Sequence, residues 1–258
     1  MNHHSVSHYK GADSFWKVEN ISVCDSTNSE LVTRLRHNHA SPGTVLVALE
    51  QTHGKGRLYR QWFSPLGNVA LSLALPIFPG TENLLFQYNL VAALAIRSSL
   101  SKISSLPFKI KWPNDLWLHG KKICGILGET VTEIQSVVVG IGVNLNSRVE
   151  NFPENLRPTL TTLHEETGKE TPAEIFIETL LGVLSDYLDL YKTGGLASIK
   201  DEFNSHLLWR HEKITITNEE GTSLSGENLG LDESGFLLIQ DDKDQIRRLV
   251  AGDTSLRK

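Results

Sequence analysis

Cysteine is scarce in this sequence. The chain has two cysteines, Cys24 and Cys124, and neither lies in a CxxC motif. Both are surrounded by apolar residues, in the segments ISVCD and KKICGIL. The sequence alone leaves one disulfide between them open, but it favours two reduced, buried thiols of the kind found in cytosolic proteins.

Long apolar runs and an excess of basic residues are also missing. No apolar run approaches the roughly 20 residues that cross a bilayer, and the polar start MNHHSVSHYKGADSF has no apolar signal core. We therefore expect a soluble, cytoplasmic protein. The formal net charge of -5 implies no general attraction to nucleic acid or to an anionic membrane. Any binding of anions must then come from local clusters of cations.

Metal-binding patterns are absent as well. Ten histidines occur, but none falls in the HExxH pattern of zinc-binding helices. The hydrophobic content of 40% and the charged content of 21% are those of an ordinary globular protein. A chain of 258 residues has room for one large domain, or for a large domain and a small one.

From about residue 18 to residue 143, strand-like and helix-like segments alternate. A capping-box pattern, Thr27 with Glu30, predicts a helix start, and Thr171-Pro172 with Glu174 predicts another. His119-Gly120 predicts a hairpin turn. The predicted strands are 18–24, 44–50, 68–76, 108–112, 115–119, 121–131 and 136–146, and the predicted helices are 81–103, 171–191, 197–206 and one that starts at Thr27.

The character of the chain changes near residue 210. After His211, short strand-like segments alternate with turns such as EEG, DESG and DDKD, which is typical of a small all-β barrel. We therefore predict two domains, residues 1–209 and residues 210–258.

A cationic, glycine-containing loop lies between two of the predicted core strands. The segment QTHGKGRLYRQW, residues 51–62, offers Lys55, Arg57 and Arg60 together with Gly54 and Gly56. Glycines allow the backbone to approach a ligand closely, and the cations suit phosphate or carboxylate. The same pattern would also fit a solvated hairpin tip whose charges serve only solubility.

Four further motifs have a structural and a functional interpretation each. KWPND at 111–115 is a rigid proline turn or a site for a ligand or a divalent cation. Lys122 in KKICGIL is a surface lysine or a cation that reaches into a pocket. GIGVNLN at 140–146 is a twisted strand end or bare backbone for a flat ring. DSTNSE at 25–30 is a helix cap or a set of polar ligand contacts.

The order of these motifs resembles that of the biotin–protein ligases. The resemblance covers the chain from about residue 18 to residue 258. It implies an α+β fold: a mixed β-sheet with flanking helices, like the catalytic domain of class II aminoacyl-tRNA synthetases, followed by a small SH3-like β-barrel. It also implies a two-step reaction, in which biotin and Mg²⁺-bound ATP give biotinyl-5'-AMP, and a lysine of a biotin carboxyl carrier protein then takes the biotin.

The resemblance also assigns roles to residues. Lys122 and Arg57 become catalytic, because they stabilise the negative charge of the reacting carboxylate and phosphate. Asp115 becomes a candidate Mg²⁺ ligand. The implied biotin-binding residues are Ser26, Thr27, Asn28, Gln51, Lys55, Gly56, Arg57, Lys122 and Gly125. The implied ATP- or adenylate-binding residues are Gly54, Lys55, Arg57, Arg60, Trp62, Asn114, Asp115, Lys122, Asn144 and Arg257.

The loop departs from the family pattern GRGRxGRxW at two positions. Lys55 replaces the first arginine, which keeps the charge but loses bidentate geometry, and Tyr59 replaces the third glycine, which restricts the backbone. We therefore expect faster loss of the adenylate and a smaller ordering of the loop on closure.

Partners follow from the same resemblance. Some family members carry an N-terminal helix-turn-helix, but residues 1–17 are too few and not basic, so we expect no binding of nucleic acid. No membrane association is expected, and a homodimer is compatible with the family, some members of which pair only weakly. A lipoate or octanoyl ligase or transferase and a non-catalytic RNA-binding protein are the rival interpretations. The pairing of GKGRxxRxW with KWPND favours the biotin branch.

Overall fold

The computed structural model describes residues 5–7, 15–81, 85–217, 223–249 and 255–257. For residues 5–7, 132 and 255–257 it describes the backbone alone. Within these residues, no helix combines the length and the apolar character that crossing a membrane requires.

The larger part of the chain is built on one eight-stranded mixed sheet. Its order is β1-β2-β3-β4-β8-β7-β6-β5. The pair β2–β3 is parallel and the other neighbouring pairs are antiparallel, so the prediction of a mixed sheet is confirmed. The strands are β1 Ser5–Ser7, β2 Lys17–Cys24, β3 Thr44–Gln51, β4 Val69–Pro76, β5 Lys109–Lys111, β6 Asp115–Leu118, β7 Lys121–Val131 and β8 Ser136–Val143.

All seven strands predicted up to residue 146 are present, with small differences at their ends. The sequence analysis missed β1, because SVS is too short and too polar to produce an alternating pattern. His119 and Gly120 both have positive φ, 47° and 78°, which confirms the predicted hairpin turn between β6 and β7.

Helices cover both faces of the sheet. They are α1 Thr27–Arg36, α2 Gln87–Ser104, α3 Leu163–Thr167, α4 Ala173–Gly194 and α5 Lys200–His206. Helix α1 packs Leu31 and Leu35 against one face, with Leu46 and Val138 of the sheet. Helices α2 and α4 pack in the main core on the other face. Eleven positions of α2 are buried, so this helix is buried nearly all round.

Two details of the predicted helix starts are wrong. The capping box of α1 does not form: Ser26 is the N-cap, Glu30 pairs with Arg34 at 2.8 Å, and Thr27 turns to Gln51 instead. The reason is that the amide and the hydroxyl of Thr27 both donate hydrogen bonds to Gln51, at the end of β3, so the Thr27 side chain does not cap the helix. Helix α4 begins at Ala173, so Pro172 is its N-cap and not the first residue inside the helix.

The C-terminal part forms a separate five-stranded antiparallel sheet in the order β12-β11-β10-β9-β13. Its strands are β9 Lys213–Thr217, β10 Ser223–Leu231, β11 Leu237–Asp241, β12 Ile246–Leu249 and β13 Ser255–Arg257. The small all-β unit predicted after His211 is therefore confirmed.

The turn between β10 and β11 packs against the larger sheet's helices. The rings of Phe86 and Phe236 stack with centroids 4.7 Å apart. The indole of Trp112 donates a hydrogen bond to the carbonyl of Gly235 at 3.1 Å, and the Gln87 amide donates to Ser234 at 2.8 Å. These contacts connect the C-terminal sheet to the KWPND turn, whose Trp112-Pro113 peptide bond is cis.

Candidate functional site

The cationic loop is a hydrogen-bonded hairpin that connects the neighbouring antiparallel strands β3 and β4. Lys55 and Gln61 form a β-bridge, and the Gly56 amide donates to the Arg60 carbonyl at 2.7 Å. The tip turns through Leu58 and Tyr59, whose φ angles of 56° and 58° are left-handed. Such angles favour glycine, which is the residue that the family pattern has at the position of Tyr59.

A first pocket lies beneath this loop. All nine residues predicted for biotin line it. The lining residues are Ser26, Thr27, Asn28, Gln51, Lys55, Gly56, Arg57, Trp62, Asn114, Lys122, Gly125, Ile126, Leu127, Gly140, Ile141 and Gly142. The structure therefore brings together segments that are up to 116 positions apart, from Ser26 to Gly142.

A buried polar network forms one end of the first pocket. Both the amide and the hydroxyl of Thr27 donate to Gln51 Oε1, at 2.8 and 3.1 Å. The Ser72 hydroxyl lies 2.7 Å from Thr27 Oγ1 and 2.6 Å from Asn28 Oδ1. Ser72 is completely buried in β4. The sequence analysis missed it, because a single serine in an apolar strand gives no signal of its neighbours.

Trp62 lies flat against bare backbone in the middle of the sheet. Gly125 of β7 and Gly142 of β8 are paired in register, and a Cβ on either would lie 2.9 or 2.2 Å from the Trp62 indole. The motif GIGVNLN was predicted to admit a flat ring, and the ring in that place is the protein's own indole. Trp62 Nε1 is buried and finds no hydrogen-bond partner within the part of the chain that the structure describes.

The cations around this indole have protein partners. Lys122 Nζ lies 2.7 Å from Asp115 Oδ1 and 5.5 Å from the Trp62 ring. Arg57 donates a hydrogen bond to Asn114 Oδ1 at 3.0 Å. Because β6 and β7 are antiparallel neighbours, the KWPND turn and Lys122 come from one hairpin. The β6–β7 hairpin thus brings the Asp115 carboxylate and the Lys122 ammonium into contact beside the Trp62 indole.

A second, larger pocket of about 320 Å³ adjoins the first. Gly56, Arg57, Trp62, Asn114 and Lys122 line both, so these residues lie where the two pockets meet. The predicted adenylate residues Arg60, Asp115 and Asn144 line the second pocket alone.

Asn144 offers an acceptor in the second pocket. The residue is 2% exposed, and its Nδ2 donates to the Thr161 carbonyl at 3.1 Å. Its Oδ1 has no hydrogen-bond partner among the described residues. A buried amide oxygen without a partner is costly, so this atom suits a ligand that carries a donor.

One wall of the second pocket was not predicted. It is formed by Phe152, Leu156, Thr159 and Leu160, from the irregular, proline-containing stretch between β8 and α3. This stretch is fastened to the β6–β7 hairpin: the Thr161 amide donates to the Lys122 carbonyl at 2.9 Å. The apolar residues there show neither strand nor helix periodicity, which is why the sequence analysis gave them no role.

Glu166 adds a second fastening for this wall. Its carboxylate accepts from Thr161 Oγ1 at 2.7 Å and lies 2.6 Å from His119 Nδ1. Burial raises the pKa of Glu166, but the hydrogen bonds from Thr161 and His119 lower it, and the net pKa is below the ordinary value. The wall is therefore held by a carboxylate that stays charged at neutral pH.

Some predicted features take no part in these pockets. Gly54 lies at the base of the loop, where its carbonyl accepts from the Trp62 amide at 2.8 Å. Both cysteines are free thiols, as predicted, but only Cys124 is buried and Cys24 is partly exposed. Burial raises the pKa of Cys24 to about 11. The Arg257 side chain lies outside the described residues, and the described residues contain no cluster of three His, Cys, Asp or Glu side chains around a common point.

Comparison with known protein families gives two matches on this chain. Residues 21–146 match the model described as the biotin/lipoate A/B protein ligase family. Residues 212–257 match the model described as the biotin protein ligase C terminal domain. The two matches fall on the larger sheet and on the C-terminal sheet.

Curated relatives and solved structures agree with these matches. A bifunctional ligase/repressor BirA of Bacillus subtilis is 33% identical over 241 residues, covering 90% of this chain and 71% of that protein. A biotin--[acetyl-CoA-carboxylase] ligase of Paracoccus denitrificans is 33% identical, covering 85% of this chain and 92% of the relative. The structure of biotin protein ligase from Aquifex aeolicus in complex with biotin and ATP superposes with a TM-score of 0.83 at 33% identity, covering 93% of this chain and 98% of that one.

Proposed function

Because the chain belongs to the biotin/lipoate A/B protein ligase family, we infer that it is a biotin–protein ligase. It activates biotin with ATP to biotinyl-5'-AMP and transfers the biotin to a lysine of a biotin carboxyl carrier protein. The observation that carries this inference is the meeting of two pockets at Lys122 and Arg57, two cations that suit a carboxylate from one side and a phosphate from the other.

The first pocket is the proposed biotin site. Its polar end, made by Ser26, Thr27, Asn28 and Gln51, suits the ureido group, which has both donors and an acceptor. Lys55, Gly56, Arg57, Lys122 and Gly125 lie toward the valerate carboxylate. The indole of Trp62 lies on the Gly125–Gly142 backbone and forms part of the wall of this pocket.

The second pocket is the proposed nucleotide site. Arg57, Arg60 and Lys122 supply positive charge for the phosphates, and Asn114 holds Arg57 in place. Asn144 Oδ1 is an acceptor that suits the adenosine part. Trp62 also lines this pocket and is proposed to pack near adenine. Gly54 closes the base of the loop, and Arg257 is proposed to reach the nucleotide from the C-terminal sheet.

The reaction needs two anions brought to bonding distance. Carboxylate and triphosphate repel each other, and cations placed around both reduce this repulsion most effectively where water is excluded. The loop supplies Lys55, Arg57 and Arg60 as a roof, and β7 supplies Lys122 from below. A closed roof also protects the mixed anhydride from hydrolysis until the carrier lysine attacks.

Asp115 and Asn114 fit a magnesium ion that arrives with ATP. Magnesium is usually held by one or two carboxylates together with substrate phosphates, and the second pocket has one carboxylate, Asp115, among its described lining residues. When bound, the ion would neutralise phosphate charge. Asp115 itself holds the Lys122 ammonium 2.7 Å away, at the edge of the same pocket.

The partners follow from the second half-reaction. The acceptor is a carrier protein or carrier domain of a carboxylase. We propose no binding to nucleic acid or membrane, a location in the cytoplasm, and a homodimer, stable or weak, as the compatible assembly.

Mass spectrometry of a purified biotin carrier domain tests the proposed function directly. Incubation with this protein, ATP, Mg²⁺ and biotin is expected to add one biotinyl group to a single lysine. Omission of ATP should abolish the addition. Lipoate in place of biotin should give no addition, and modification with lipoate but not with biotin would replace this function with the rival one.

The lysine at position 55 gives a second prediction. Lys55→Arg restores the family's bidentate cation and is expected to slow the loss of biotinyl-AMP in the absence of carrier by about tenfold, the effect of one more charged hydrogen bond of about 1.5 kcal/mol. Hydrolysis of biotinyl-AMP is measured in both forms, and carrier biotinylation should be unchanged. Lys213→Arg, an exposed pair with Asp242, is the matched control. Equal leakage in wild type and Lys55→Arg would contradict the assigned role.

A further inference from the structure

The side chain of Asn28 is fixed in one orientation. Asn28 is 3% exposed and lines the first pocket. Its Nδ2 donates one hydrogen bond to the Leu127 carbonyl at 3.0 Å and one to Glu129 Oε2 at 2.7 Å. Both amide hydrogens are thereby used, so the side chain has no N–H left for a ligand.

Of the two acceptors that hold the Asn28 amide, only the Glu129 carboxylate belongs to a side chain, so a substitution can remove only that one. An asparagine side chain turned by 180° fits the same space with its oxygen and nitrogen exchanged. The Leu127 carbonyl and the Glu129 carboxylate accept hydrogen bonds and cannot donate them, so both oppose the turned amide. A charged acceptor makes the stronger hydrogen bond of the two.

The fixed orientation leaves Asn28 Oδ1 as the atom offered to the pocket. This oxygen accepts from Ser72 Oγ at 2.6 Å and keeps a second lone pair. It lies over the bare backbone of Gly140, where a Cβ would come within 2.2 Å of it. Gly140 lines the same pocket, and its lack of a side chain leaves the room that the Asn28 amide occupies in the pocket wall.

The second oxygen of Glu129 faces the loop. Lys55 Nζ lies 4.0 Å from Glu129 Oε1, with the two side chains 50% and 33% exposed. Ion pairs between side chains this exposed contribute little free energy. The effect of Glu129 on ligand binding is therefore assigned to its hydrogen bond with Asn28.

We propose that Glu129 is a positioning residue that holds the Asn28 amide with its oxygen toward the ligand, and so makes the pocket select a ureido N–H at that point. This inference rests on the biotin-ligase function proposed above. A ligand with a ring oxygen in place of that N–H would face the Asn28 oxygen, and two acceptors in contact exclude each other.

The test compares biotin with two isosteric cyclic carbamates, in each of which one ureido N–H is replaced by oxygen. Dissociation constants are measured by calorimetry, and KM and kcat by biotin-dependent ATP–pyrophosphate exchange. Wild type is expected to distinguish the two carbamates by at least about tenfold, because one of them lacks the N–H that Asn28 reads.

Glu129→Leu removes the acceptor at nearly constant size. It is expected to raise the KM for biotin by about tenfold with kcat changed less than about threefold, because the amide can then turn. For the same reason, discrimination between the carbamates should fall below about threefold. Glu129→Gln can accept or donate, so its values should lie between those of wild type and Glu129→Leu. It carries the test if the leucine variant does not fold.

Glu133→Leu, from an exposed ion pair with Arg36, is the matched control and should behave like wild type. Wild-type discrimination in both Glu129 variants would overturn the inference, and so would a wild type that binds the two carbamates equally. A wild type that neither binds biotin nor forms biotinyl-AMP would instead disprove the proposed function.

Discussion

Lys122→Met is expected to lower the rate of biotinyl-AMP formation by about 10²–10³-fold, the usual cost of removing one group that stabilises developing charge. Lys122 lines both pockets, and its ammonium is the cation that lies beneath the point where they meet. Methionine keeps the length and the apolar stem of lysine and loses the charge. The rate is measured by single-turnover formation of biotinyl-AMP from bound biotin and ATP.

The ion pair with Asp115 requires a control. Removing Lys122 leaves the Asp115 carboxylate, whose side chain is 18% exposed, without its 2.7 Å partner. The double variant Lys122→Met/Asp115→Asn restores the charge balance and should remain as slow as the single one. Lys121→Met, one position earlier and exposed, should react like wild type. If the double variant formed biotinyl-AMP as fast as wild type, the loss in the single variant would come from the unpaired Asp115 carboxylate. If the single variant were as fast as wild type, Lys122 would not be a catalytic residue.

The segments that contribute to the site could be predicted from the sequence, because each carries its own local signal. Glycines interrupt a cationic stretch at Gly54 and Gly56, and a proline turn precedes Asn114 and Asp115. The family resemblance supplied their grouping. The fold then follows from the alternation of strands and helices, and the C-terminal sheet follows from its short strands and turns.

The contacts between segments could not be predicted in the same way. Ser72 and Glu129 lie inside strands whose pattern signals only burial, yet both hold Asn28 across the sheet. The apolar wall at Phe152 and Leu160 depends on the fastening of an irregular segment through Thr161. The capping box failed for the same reason: Thr27 satisfied a local rule, but its hydrogen bonds go to Gln51 on a neighbouring strand. Hydrogen bonds between distant segments leave no periodic trace.

Asp115→Asn tests the proposed magnesium role. The substitution keeps the shape and removes the one carboxylate among the described lining residues of the nucleotide pocket. If Asp115 helps to hold magnesium, the Mg²⁺ concentration at half-maximal adenylate formation should rise by about tenfold or more, because the ion loses its charged protein ligand. The rate at saturating Mg²⁺ should also fall by about tenfold, because Lys122 loses the anion that positions it.

The two effects separate two roles of one carboxylate. A group that only anchored Lys122 would lower the rate at every Mg²⁺ concentration and leave the half-maximal concentration unchanged, and that outcome would contradict the magnesium proposal. Asp189→Asn, on the exposed face of α4, removes the same charge far from the pocket and should change neither value. Asp115 pairs in register with Gly125, on which the Trp62 indole lies. If the variant preserves the backbone of this hairpin, the wall of the biotin pocket is unchanged and the KM for biotin should stay nearly the same. A large rise in the biotin KM would show instead that the carboxylate supports the shape of both pockets.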